Sequence, residues 1–140
     1  MIEMEYYNEI LDKPIILYTS KYKDYIYYII NYGTHPCCYV CLSKGHKYFG
    51  KHYDDIHISC HGGLTFSNEC LDNIIPYTKG YWIIGWDYAH CGDYYGFCKE
   101  LVAGHKYTTK ELIIDCQDVI EELIQDNKLL KEKYDRYTNN

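Results

Sequence analysis

The chain has 140 residues, 47% hydrophobic and 24% charged, with a formal net charge of −6. That balance suits one globular domain and excludes global disorder. With Arg136 as its only arginine, the chain also lacks the clustered Lys and Arg that hold duplex nucleic acid by its phosphates.

In chain order, "KPIILYTS" (13–20) and "YKDYIYYIINYG" (22–33) read as two strands, because β-branched and aromatic residues dominate both. "CCYVCLS" (37–43) reads as a third. "KGHKYFGKHYDD" (44–55) reads as a loop and is the most basic stretch of the chain, with Lys44, Lys47, Lys51, His46 and His52. "IHISC" (56–60) alternates Ile56 and Ile58 with His57 and Ser59, the pattern of a half-buried strand. "HGGLTFSN" (61–68) reads as a turn. "YWIIGW" (81–86) is an apolar run suited to a central strand, and "DYAHCGDYYG" (87–96) is the turn after it.

The last third carries the clearest pattern. Thr108 and Glu111 have capping-box spacing, with Tyr107 and Leu112 placed as a hydrophobic staple. Leu112, Ile113, Cys116, Val119, Ile120, Leu123 and Ile124 then recur at helical spacing, which predicts an amphipathic helix over about 109–131. The tail 134–140 is expected to fray. The predicted class is α+β: one domain, with an antiparallel or mixed sheet of about five strands under a long C-terminal helix.

No apolar stretch approaches membrane-spanning length. The opening "MIEMEYYNEI" lacks the basic region and apolar run of a secretory signal. A cytoplasmic protein is the expectation, with its eight cysteines reduced and mostly packed as small hydrophobes. Cys38 and Cys41 form a C-x-x-C, but in a strand they point to opposite faces, which argues against shared zinc ligation. Nineteen tyrosines offer apolar faces for ligands or partners, although a bias towards AT-rich codons accounts for them equally well.

Two segments carry candidate chemistry. In "SCHGGLTFS", Gly62 and Gly63 permit positive φ, so consecutive N–H groups can converge on an anion. His61 adds a donor or metal ligand, and Thr65 a hydroxyl. In "WDYAHCGD", Asp87, His90 and Asp93 recur at intervals of three. With His61 they form a candidate set for Zn or Mn. Alternatively, a carboxylate orients His90 as a base. Trp82 and Trp86 offer stacking planes, and Lys47 and Lys51 offer countercharge to a phosphate. Each residue also has a bland reading: glycines for a tight turn, Asp87 as a turn cap, Trp86 as core, and the lysines as solvated surface.

The series "GHKYFGKHYDDI", "HGGLTFS" and "GYWIIGWDYAHCGD", followed by a capped helix, resembles a family of small phage and prophage proteins. Its usual wording is close to G-H-P-x-Y-G-K-x-Y-D-D-I, H-G-G-L-T-[YF]-S and W-W-I-G-F-D-x-A-H-x-G-D. The resemblance spans 44–93. Lys47 departs from it where proline is usual, as do Tyr81 and Trp86 at the aromatic positions. It implies a phage setting, in which small proteins of this size often counter host defence, some by sequestering nucleotide-derived immune signals.

Three readings follow. The first is a non-catalytic, homo-oligomeric binder of a small, anionic, nucleotide-like ligand held by His61, Gly62, Gly63, Thr65, Lys47, Lys51, Trp82, Trp86, Asp87, His90 and Asp93. The second is a metal-dependent hydrolase built on His61, Asp87, His90 and Asp93. The third is an antagonist that binds a host protein through its tyrosines. A ligand recovered unchanged, a bound metal, and a retained host protein would distinguish them.

Overall fold

The structure is a computed structural model that describes residues 14–71, 78–93 and 104–138, the last ten of these by backbone alone. Among these residues, five antiparallel strands form one sheet: β1 (Ile15–Tyr22), β2 (Tyr25–Asn31), β3 (Pro36–Leu42), β4 (Phe66–Asn68) and β5 (Trp82–Asp87), in the order β1-β2-β3-β5-β4. The long helix α1 (Thr109–Thr138) lies over β1, β2 and β3. The α+β class and the long C-terminal helix are as the sequence predicts.

β1 and β2 form a tight hairpin. Tyr22 pairs with Tyr25, and the two turn residues, Lys23 and Asp24, both take positive φ, the signature of a two-residue turn that matches strand twist. The central strands β2, β3 and β5 are buried on both faces. Towards α1 they present Tyr27, Ile29, Cys38, Val40, Ile84 and Trp86, which meet Leu112, Cys116, Val119, Ile120 and Leu123 of the helix. All five of these helix residues are at most 2% exposed. Burying each aliphatic side chain contributes about 1.5–3 kcal/mol, so this stripe is what docks the helix. On the other face Tyr28, Ile30, Cys37, Tyr39, Cys41 and Ile83 cluster with Leu71. Cys38 and Cys41 therefore do point to opposite faces.

Three expectations need correction. The segment 56–60 forms no strand. Its alternation is real, since Ile56 and Ile58 are buried, but it packs against the core without a ladder partner, and Ser59 N–H instead donates to the Glu122 carboxylate (3.1 and 3.2 Å). The strand lies further on, at Phe66–Asn68, within the segment read as a turn. The helix continues to Thr138, past the expected end at 131 and into the tail expected to fray, because the good helix formers Lys131, Glu132 and Lys133 carry it on and neither Gly nor Pro interrupts the stretch.

The helix start is as the spacing predicts. Glu111 N–H donates to Thr108 Oγ1, and Thr108 N–H donates to Glu111 Oε1, each at 3.2 Å. His105 Nε2 adds a 2.9 Å contact to Glu111 Oε2.

Candidate functional site

The end of β5 and the glycine turn before β4 are brought together by pairing. β4 runs antiparallel to β5, with Phe66 opposite Gly85, and Thr65 N–H donates to Gly85 O at 3.0 Å. His61, Gly62, Gly63 and Thr65 therefore face Asp87, His90 and Asp93. Thr65 Oγ1 donates to Asp87 Oδ2 at 3.1 Å. Asp87 Oδ1 also accepts Ala89 N–H at 3.2 Å, which shapes the turn.

Asp93 is the buried member of the cluster, with a side chain only 3% exposed. Its Oδ2 lies 2.6 Å from His61 Nε2 and accepts His90 N–H at 3.1 Å. A parallel bridge to His105 pins its backbone, and Gly104 approaches so closely that a Cβ there would lie 2.3 Å from the Asp93 carbonyl carbon. A carboxylate only accepts, so His61 Nε2 carries the proton of this bond, and in the neutral form of the ring Nδ1 is left as an acceptor. His61 Nδ1 lies 3.5 Å from Tyr107 Oη, a long contact. Its ring stacks flat on Tyr88, with centroids 4.5 Å apart and planes 6° apart, and meets Tyr107 edge-on at 5.2 Å.

His90 is held differently. Its ring lies directly over Gly62, where a built Cβ would come 2.3 Å from Nε2. Asp87 Oδ1 is 3.1 Å from Nε2, within ion-pair range. That contact lacks hydrogen-bond direction, and His90 Nε2 is a buried atom without a hydrogen-bond partner among the described residues. His35 stands near the same carboxylate. Burial lowers its pKa, Asp87 opposes that shift, and His90 adds to it.

A cleft of about 290 Å³ opens beside His61, lined by Ser59, Cys60, Trp86, Tyr107, Asp115, Asp118 and Val119. Sequence reasoning missed Asp115 and Asp118 as site residues, because they read simply as the polar face of the helix. Tyr88 Oη links floor to wall: it donates to Asp115 Oδ2 at 2.6 Å and accepts Trp86 Nε1–H at 2.9 Å. Burial, then the neighbouring Cys38 thiol and the bond to Asp115, raise the Tyr88 pKa. The Cys60 thiol is pushed up to about 12, first by burial and then by Glu122. Trp86 is 1% exposed, so it belongs to the core and meets the cleft only as part of its floor.

The lysines are elsewhere. β3 pairs with β5 so that Cys37 opposes Asp87 and Leu42 opposes Trp82. Trp82 thus stands at the far end of β5 from Asp87, about 16 Å away at the rise of an extended chain, with Lys51 and Lys47 at that same end. That end is tied to the later turns of α1: Lys47 N–H donates to Asn127 Oδ1 at 3.0 Å, and Tyr48 Oη donates to Asp126 Oδ2 at 2.7 Å. Trp82 Nε1–H donates to Lys51 O at 2.8 Å. The single pocket expected from the sequence is therefore two separate places. One amide of the expected anion nest is also committed, since Gly63 N–H donates to Cys60 O at 3.0 Å.

The four residues of the expected metal set form two pairs, His61–Asp93 and His90–Asp87. No group of three or more His, Cys, Asp or Glu side chains among the described residues is arranged around one metal position. No helix among them is long and apolar enough to cross a membrane. Comparison with known proteins found no matching family model, no matching curated protein and no matching solved structure.

Proposed function

We propose that the protein binds a small ligand in the His61 cleft and holds it unchanged. One observation carries the reading. The buried Asp93 carboxylate fixes the His61 ring through Nε2 at the edge of a cleft walled by Tyr107, Asp115 and Asp118, where the neutral form of the ring offers Nδ1 as a preorganised acceptor. The reactive groups of the cleft support binding over covalent chemistry. The Cys60 thiol is held protonated, and burial raises the Tyr107 phenol, so neither is an activated nucleophile. With acidic walls, the cleft favours a ligand that presents hydrogen-bond donors or positive charge. It does not favour the anion expected from the sequence, whose lysines stand at the other end of the sheet. A sequestering role in a phage rests on the motif resemblance alone.

Native mass spectrometry of the purified protein tests the reading. A co-purified small molecule, recovered unchanged and lost in His61→Ala, supports it. Recovery of a cleaved product refutes it. A metal-dependent hydrolase is the second reading, favoured by the unpartnered His90 Nε2 beside Asp87. It predicts bound Zn or Mn that is lost in His90→Ala.

A further inference from the structure

The opposite end of the sheet carries a second concavity, of about 530 Å³, within the size range of small-ligand sites. Phe49, Tyr81 and Trp82 supply its aromatic walls, and Gly50, Gly80 and Glu69 complete it. All three aromatic residues are only half-buried. The Trp82 indole is held in place by its bond to Lys51 O, and its ring sits 6.4 Å from that of Phe49, with planes 49° apart. The two are too oblique to stack on each other, so Phe49 does not cover the indole face, which lines the groove.

The charge at this end is the reverse of that in the His61 cleft. Two tight turns, closed by Lys51 N–H to Tyr48 O (3.1 Å) and Tyr81 N–H to Thr78 O (3.1 Å), place Lys51 and Lys79 beside the lining glycines. Both lysines are exposed, and neither makes an ion pair among the described residues. Glu69 is the one acid in the lining among the described residues. A half-buried indole in a groove whose two lining glycines each adjoin an exposed lysine in the chain is chemistry for an aromatic ring that carries an anion.

We infer that this groove is a second binding site, separate from the His61 cleft, for a flat aromatic phosphate of the nucleoside-monophosphate class. The base stacks on Trp82, and the phosphate meets Lys51 and Lys79. The inference stands on different residues from the proposed function, and the two fail independently.

The chain's two tryptophans make the test local. Trp86 is buried in the core, so quenching of tryptophan emission by a groove ligand reports Trp82. AMP is the probe, titrated at low salt, with adenosine as the uncharged control. The expected result is saturable quenching by AMP that weakens about tenfold or more in the Lys51→Ala/Lys79→Ala double variant and in high salt. Quenching should vanish in Trp82→Phe. Three results would overturn the inference: no saturable quenching at millimolar AMP, equal affinity for adenosine, or quenching that persists in Trp82→Phe. The last would place the ligand against Trp86, in the His61 cleft. Circular dichroism of each variant separates loss of binding from loss of fold.

Discussion

His61 and Asp93 lie 32 positions apart in the chain and are joined by a 2.6 Å bond between Nε2 and Oδ2. The carboxylate is 3% exposed, and the imidazole it holds is 26% exposed, so a buried anchor positions a reachable ring. Replacing Asp93 with Asn keeps the volume and removes the charge. The amide accepts less strongly from His61 and His90 N–H, and without the negative charge neither bond is charge-assisted. A charge-assisted bond of this kind contributes about 1.5–3 kcal/mol, so Asp93→Asn should lose stability of that order in urea unfolding. Ligand recovery in the cleft should fall with it. An unchanged unfolding midpoint would show that the bond does not hold the turn.

Gly62 and Gly63 separate two reasons for a glycine. Both have positive φ, at 70° and 83°. A Cβ on Gly63 meets nothing within 4 Å, whereas one on Gly62 lies 2.3 Å from His90 Nε2. Gly63→Ala should cost only the conformational strain, about 1 kcal/mol. Gly62→Ala should cost about 2–4 kcal/mol, because His90 must also move. The double variant Gly62→Ala/His90→Ala should recover the excess. A double-mutant cycle in denaturant reads that coupling, and a coupling near zero would mean the ring swings away freely.

The capping box, the helical stripe, and the strands β2, β3 and β5 were legible because each is a local pattern. So was the convergence of "HGGLTF" on "WDYAHCGD", which needs only that the two segments flank paired strands. The alternation at Ile56 and Ile58 reported burial correctly, but a period of two does not say whether a ladder partner exists. The distance between Lys51 and Asp87 was not legible at all. It follows from the antiparallel register of β3 on β5, which no short motif encodes. Asp115 and Asp118 were hidden for the opposite reason: on an amphipathic helix they look like any solvated face until a turn folds over them.

His46 gives a pH dependence whose sign can be worked out. Burial lowers its pKa from the ordinary 6.5, against the opposing pull of Leu123 O and Asp126, and Lys47 lowers it further. Its Nδ1 accepts Tyr48 N–H at 3.0 Å, a bond the neutral ring alone can make. A histidine with a lowered folded-state pKa binds fewer protons folded than unfolded. Its contribution is therefore fully present above about pH 6.5 and is lost as pH falls from there towards the folded-state value. His35, also lowered chiefly by burial, acts in the same direction. Unfolding curves from pH 7.5 to 5 should show stability falling with acidification, and His46→Gln should flatten part of that slope. An identical slope in the variant would assign the loss to other groups.

Tyr88 connects the core to the cleft and offers the sharpest single-atom test. Its hydroxyl donates to Asp115 Oδ2 at 2.6 Å and accepts from Trp86 Nε1 at 2.9 Å. Tyr88 is fully buried, so Tyr88→Phe leaves its ring stacking on His61 in place while removing both bonds. The buried indole N–H then lacks this partner, and Asp115 loses the donor that tethers it to the cleft wall. The expected cost is about 1–3 kcal/mol of stability. Indole environment provides a separate readout, since Trp86 emission should shift while Trp82 emission does not. Full stability together with an unshifted Trp86 spectrum would mean that the hydroxyl serves neither neighbour.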